Sequence, residues 1–148
     1  MEAASAGLSA QDLVAPPAEG EWSPNEILWH IRATGEVHEK HIRRIVSEDT
    51  PAWRHVSPRA QMKKSRYDQI PYADSYAAFA QQRAELLALL QALGPDAWKR
   101  SALVKVDHKP GEPLRLTLHA FAWGMANHEG GHCFEFERAA STIRQRGS

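Results

Sequence analysis

A stretch near the start of the chain, EWSPNEILWHI at residues 21–31, has the composition of a helix beginning. Ser23 suits the N-cap and Pro24 the first helical position, and Glu26 completes a capping box with Ser23. Apolar residues then recur at helical spacing, at Ile27, Leu28, Ile31, Val37, Ile42 and Ile45. The pattern predicts a long helix over residues 23–47.

Two further segments have the same character. Asp74-Ser75 offers a second cap signal, and an apolar stripe follows it as far as Gly94-Pro95. A last long helix is predicted over residues 115–144. Residues 1–21 are rich in Ala and Pro and predict either a short first helix or a loose arm.

Amphipathic helices of this length bury their apolar stripes most simply against one another. A chain of 148 residues is about one domain long. We therefore expect an all-α fold, an up-down antiparallel four-helix bundle with a short or partial first helix, in one domain over residues 1–148. Residues 50–72 and 95–113 are predicted as connections. SALVKV, at 101–106, is typical of a strand but has no obvious partner in the sequence.

The composition argues against several classes of partner. The chain has 18 basic and 18 acidic residues and no long block of like charge, which does not favour nucleic-acid or membrane-surface binding. The N-terminal segment has no basic region followed by an apolar one, so no signal peptide is predicted. One cysteine, Cys133, cannot form an internal disulfide. These features favour a cytoplasmic location, and Cys133 is interpreted as a small buried filler.

Histidines carry the main functional signal. His128 and His132 are four residues apart, so they project about 40° from each other on one face of a helix. Helix 23–47 has His30 and His41 on its inward side, roughly 16 Å apart along the axis, so one ion cannot bind both. A facing helix can supply a third ligand. Such a site, with open positions, suits Zn, Ni, Fe or Mn; a hydrogen-bonded pair without metal is the alternative.

The segment HEGGH, residues 128–132, also fits the zinc-protease pattern H-E-x-x-H, but its context does not. A third ligand should follow well downstream, and only sixteen residues remain after His132. Glu129 projects about 100° from His128 and is considered as a proton-handling or supporting group. Arg83 is interpreted as a snorkelling surface side chain or, alternatively, a buried anion contact. Gly124 and Gly131 predict close helix packing.

Taken together, Trp22-Ser23, His30 and the later ANHEGGHCFEFE segment resemble the DinB-like (YfiT-like) family of four-helix metalloproteins. The resemblance covers roughly residues 20–140. It implies a divalent metal ion, of unknown identity, bound by His30, His128 and His132.

Members of that family include transferases and isomerases that use low-molecular-weight thiols such as bacillithiol or mycothiol. The resemblance therefore implies a metal-dependent S-transferase or hydrolase acting on a thiol or another small molecule. A non-catalytic metal-binding module for stress response or interaction is the alternative. The family likeness and the short first helix also lead us to expect a homodimer.

Overall fold

The computed structural model describes residues 1–55, 70–106 and 111–146. Its helices are α1 Glu2–Ser5, α2 Ala10–Val14, α3 Pro24–Ser47, α4 Tyr72–Gln91 and α5 Leu118–Arg146, with a short 3-10 helix at Ala97–Lys99. Its strands are β1 Ala52–Arg54, β2 Ser101–Lys105 and β3 Leu114–Thr117. Most of residues 50–72 and part of the 95–113 connection, including His108 and Lys109-Pro110, lie outside the described ranges.

Helix α3 begins and ends where the sequence predicts. The Ser23 hydroxyl accepts a hydrogen bond from the Glu26 backbone N–H, and the Glu26 carboxylate accepts one from the Ser23 backbone N–H at 2.8 Å. Pro24 occupies the first turn, where its missing N–H costs nothing. This reciprocal cap fixes the position of every later side chain on α3, including His30.

The predicted cap of α4 is wrong. The helix begins at Tyr72 after Pro71, which makes no side-chain cap hydrogen bond. Ser75 lies one turn inside the helix and is fully buried, and its hydroxyl accepts a hydrogen bond of 2.8 Å from Arg32 Nη1 on α3. The polar residue that resembled a cap instead joins two helices.

A small mixed sheet corrects the expectation of a purely helical fold. Strand β2 pairs with β1 in parallel and with β3 antiparallel, in the order β1-β2-β3. Ala102 and Val104 of β2 point into the protein and are nearly inaccessible to solvent, which is the two-residue period of a half-buried strand. The partners of SALVK come from far along the chain, just after α3 and just before α5. Because β3 takes residues 114–117, α5 starts at Leu118 and not near 115.

Helices α3 and α5 pack side by side and in opposite directions, with two groups of core residues between them. Ile27, early in α3, packs in one cluster with Phe136, late in α5. Ile42 and Ile45, late in α3, pack in the other with Leu118 and Met125, early in α5. Both clusters consist of fully or almost fully buried side chains. His30 on α3 and His128 on α5 therefore lie between two dry cores.

The two short N-terminal helices lie against the same end of the molecule. Met1, Ala4 and Leu8 pack on the Ile27–Phe136 cluster, and Leu13 of α2 is buried. Of the two readings of residues 1–21, the structure has the short helices. No helix in the described part of the chain is long and apolar enough to cross a membrane. The up-down order of the whole bundle and the single-domain extent stay predictions.

Candidate metal centre

His30 occupies the second turn of α3 and is almost completely buried, with 4% of its surface exposed. Thr34, one turn later, donates a hydrogen bond of 2.8 Å from its hydroxyl to the His30 carbonyl. Pro24 and the capping box fix the helix start, and the Ile27 and Ile31 contacts on either side fix its rotation. The imidazole of His30 therefore projects inward toward α5.

Three histidines meet at this position. One ring nitrogen from each of His30, His128 and His132 lies within 4.8 Å of the other two. The Nε2 atoms of His30 and His128 are 3.1 Å apart. Centroids of the three rings are separated by 4.4 to 5.0 Å. The structure thus brings together the three histidines that the family resemblance selects; whether they bind an ion is a separate question of chemistry.

The orientation of His132 is set by a carboxylate. Its Nδ1 lies 2.8 Å from Glu135 Oε2, one turn further along α5. A carboxylate acceptor favours the tautomer with the proton on Nδ1, which leaves Nε2 as the free ring nitrogen. Metal-binding histidines characteristically have such a partner on the other nitrogen. No role for Glu135 is predicted from the sequence, although its i,i+3 spacing from His132 is visible there.

Trp22 forms one wall of the site. Its ring stacks on His132 at 5.9 Å between centroids and an angle of 20°, and it lies 5.0 Å from the ring of His30. The following residue, Ser23, caps α3. The Trp-Ser pair therefore connects the start of the helix to the ligand cluster, which gives a physical reason for its position in the motif.

The donor set fits a divalent first-row ion. Zn–N bonds of about 2.0–2.1 Å place two imidazole nitrogens of one ion about 2.9–3.4 Å apart for angles between about 90° and 109°. The 3.1 Å separation of the His30 and His128 nitrogens lies in that range. Within the described residues, the Nδ1 atoms of both rings are buried and make no hydrogen bond. Both rings therefore engage through Nε2, with each other or with a shared ion.

Protonation also favours metal binding. Burial, followed by the neighbouring His132 and His128, lowers the pKa of His30 to about 4. Burial and then His132 also lower the pKa of His128. Neutral imidazole is the form that binds metals, so these side chains need not lose a proton at neutral pH before doing so.

Glu129 lies on a different side of α5 from the histidine cluster. Its Oε2 accepts a hydrogen bond of 2.8 Å from Arg83 Nε on α4, and Arg83 Nη2 also pairs with its Oε1. The two side chains are only 13% and 15% exposed, so the surface position predicted for Arg83 is wrong and the buried anion contact is the one observed. Burial raises the pKa of Glu129, against the opposing effect of Arg83. The carboxylate does not belong to the three-histidine group.

Close packing around the glycines of α5 is also not observed. A Cβ atom added at Gly124, Gly130 or Gly131 would meet no described atom within 4 Å. Gly124 instead borders a cavity that reaches His128. Cys133 is half-buried, and burial raises the pKa of its thiol, which disfavours the nucleophilic thiolate.

A second group of histidines lines the space beside the centre. His38, His41 and His55 border two adjoining cavities of about 200 and 250 Å³ under the sheet. The ring of His41 stacks on Trp53 at 4.0 Å, and that of His38 meets Phe121 edge-on at 5.5 Å. Of these three, only His41 carries a prediction from the sequence, namely that it lies too far along α3 to share an ion with His30.

Replacing Glu135 with alanine should weaken binding of a divalent ion about tenfold. The carboxylate is one-third exposed, so the effect belongs at the low end of the tenfold to hundredfold range for such partners. Competition with a chromophoric chelator measures the change. Glu137→Ala, two residues further and exposed, is the matched control. Equal affinities for both variants would remove Glu135 from the site.

Acid should destabilise the metal-free protein through His41. Burial, followed by Arg44 and Lys40, lowers the pKa of His41 to about 4 from 6.5. Between those values the unfolded chain binds a proton that the folded chain does not. Stability is therefore full above about pH 6.5 and declines as the pH falls toward 4, by about 1–2 kcal/mol for this residue at pH 5. Urea unfolding at pH 7 and 5 should show a smaller decline for His41→Gln than for wild type; an equal decline would contradict the assignment.

Comparison with known proteins identifies the family and the fold. The chain is similar to YfiT from Bacillus subtilis, described as a probable metal-dependent hydrolase with an unusual four-helix bundle topology. The TM-score is 0.69, over 93% of this chain and 77% of YfiT, at 20% sequence identity, a level at which the likeness concerns the fold. No curated protein matches. A family model described as the DinB superfamily matches residues 1–135, which is most of the sequence. The chain therefore belongs to the DinB superfamily.

Proposed function

We propose that this protein is a metal-dependent hydrolase whose divalent ion is held by His30, His128 and His132. The observation that carries the proposal is the convergence of three imidazole nitrogens, from two antiparallel helices, within 4.8 Å of one another. A cavity bordered by His128 lies beside that point and is large enough for a small molecule. The description of YfiT as a probable metal-dependent hydrolase supports the same reaction class.

An ion with three protein ligands would supply Lewis acidity at an open position, lowering the pKa of water or of a thiol that binds there. The remaining roles fall to side chains of this protein. His30 and His128 provide neutral nitrogens, and Glu135 holds the third ring in orientation. Trp22 and the two core clusters exclude bulk water from one side.

Of the two roles considered for Glu129, proton handling and support of the site, we propose the second. A carboxylate held by a guanidinium is poorly placed to accept a proton from a reacting group. We assign it a positioning role, in which the ion pair with Arg83 joins α4 to the helix turn that carries His128.

A low-molecular-weight thiol is the second nucleophile to test, because the same Lewis acid would activate it. S-transfer to or from a small molecule therefore remains the companion proposal. The two reactions differ only in the species that occupies the open position, so one assay can separate them.

The test uses untagged protein stripped by a chelator and reloaded with Zn²⁺, Ni²⁺, Mn²⁺ or Fe²⁺ separately. Neutral esters and amides are assayed with and without added thiol. We expect turnover with at least one ion, its loss on chelation and its return on reloading. Turnover only with thiol would replace hydrolysis by transfer. Stoichiometric metal binding without any turnover would favour the non-catalytic metal-binding module and overturn the enzyme proposal.

We also propose that the protein is a homodimer. Trp123 and Phe134, 65% and 72% exposed, are eleven residues apart on α5 and project within about 20° of each other. A second copy would cover this face. Sedimentation velocity should give a dimer for wild type and a monomer for Trp123→Glu/Phe134→Glu. A monomeric wild type would contradict the proposal.

A further inference from the structure

Two neighbouring cavities lie between α3, α5 and the sheet, and they share part of their lining. The cavity of about 250 Å³ is bordered by His128, Gly124 and Met125 of α5. The cavity of about 200 Å³ extends under the strands, where Val104 and Leu114 border it. Thr34, His38 and Phe121 are among the side chains that border both. A molecule that occupied both would have one end at His128 and the other beneath the sheet.

The far part is strongly apolar. Its walls include Val37 from α3, Val104 from β2, Leu116 from β3 and Phe121 from α5, and Trp53 of β1 adds an indole. The sheet absent from a purely helical bundle supplies three of these five side chains. The β-strands therefore supply most of this apolar wall, while α5 places His128 at the other end of the space.

Charge is missing from the lining. Among the described residues that border either part, none is Asp, Glu, Lys or Arg. The polar groups are hydroxyl and imidazole, and the ring of His41 lies flat on Trp53 at 4.0 Å. Burial holds the pKa of His41 at about 4, so this ring is neutral at physiological pH. A buried ionic group here would have no counter-ion among these described lining residues, which is costly.

We propose that this pocket binds the substrate through an uncharged, apolar arm, aliphatic or aromatic, while the polar reacting group of the same molecule faces His128. The inference rests on the proposed function for the orientation of the molecule, and on the cavity for its chemistry. The substrate is then a neutral amphiphile. A charged low-molecular-weight thiol would stay outside the apolar part.

Binding of plain alcohols to the metal-free protein tests the pocket directly. In a ligand-observed NMR titration with a series of 1-alkanols, the affinity should rise about fourfold per methylene until the chain fills the cavity. 6-Aminohexan-1-ol has the same carbon chain as 1-hexanol with a charged end, and it should lose that gain. Equal binding of the two, or no dependence on chain length, overturns the proposal.

A matched pair of variants locates the binding. Leu116→Trp fills the space that both parts share and should weaken 1-hexanol binding at least tenfold. Leu87→Trp makes the same substitution on α4, at a side chain that is 55% exposed and borders neither part. It should bind 1-hexanol as wild type does. Circular dichroism checks that both variants are folded. If Leu116→Trp does not fold, the 1-alkanol titration of the wild-type protein still tests the proposal.

Hexane-1-thiol tests the pocket and the proposed metal centre independently. Adding Zn²⁺ should increase its affinity much more than that of 1-hexanol, because a thiolate binds Zn²⁺ far more tightly than a neutral alcohol does. A chain-length series without any Zn²⁺ gain would support the pocket and contradict the proposed centre. A Zn²⁺ gain without chain-length dependence would contradict the pocket and leave the proposed function intact.

Discussion

Replacing His30 with alanine should lower the affinity for a divalent ion by at least about a hundredfold. Loss of an outer partner alone costs about tenfold to a hundredfold, and loss of a ligand removes a bond to the ion itself. His30 is the decisive position, because it comes from α3 while His128 and His132 both come from α5. The affinity is measured by competition with a chromophoric chelator on untagged, stripped protein.

The matched control is His119→Ala, an exposed histidine on the same helix as two of the ligands and outside the three-histidine group. It should bind the ion as wild type does. Because His30 is almost fully buried, circular dichroism and urea unfolding must show that His30→Ala remains folded. Unchanged metal affinity in a folded His30→Ala variant would exclude the proposed ligand set and leave the histidines as a hydrogen-bonded group.

The helices were predictable because their signals are local. The capping box of Ser23 and Glu26 lies within four residues, and the apolar period of α3 continues from it, so both ends agree with the prediction. The sheet could not be predicted in the same way. Strand β1 lies about fifty residues from β2 and strand β3 about twelve, and their pairing depends on how the helices bring them together. Residues 101–105 show the alternation of a strand but do not identify its partners.

The candidate site, too, could be predicted where its signals are local and not where they depend on packing. The pair at 128 and 132 is visible from helical spacing, and His30 from its inward face together with the family resemblance. The partner of Glu129 was not visible, because it depends on the rotation of α4 against α5. A local signal did exist on the third helix: Gly35 stands in the middle of α3, where glycine is unfavourable, and an added Cβ would overlap Arg83 Nη2.

That contact makes Arg83→Met the second large prediction. Removing the guanidinium leaves the Glu129 carboxylate, 13% exposed, without its partner. Breaking such a buried pair costs about 3 kcal/mol, which urea unfolding at pH 7 measures. Replacing both residues, as Arg83→Met/Glu129→Met, removes the unpaired charge and should recover most of the loss. A cost of Arg83→Met below about 1 kcal/mol would show that the pair adds little to stability.

Gly35→Ala gives the same contact a sharper test, because its effect should change sign with the background. In the wild type the new methyl group overlaps Nη2 and lies 3.1 Å from Cζ of Arg83, so it drives the guanidinium from Glu129 and destabilises the protein. In Arg83→Met the shorter side chain ends before that point, and alanine should stabilise α3 by about 1 kcal/mol through its helix propensity. A substitution that is equally harmful in both backgrounds would mean that Gly35 is required by some feature other than the ion pair. A reversal of sign would show that glycine is needed at this position to admit an arginine, which links α3, α4 and α5 beside His128.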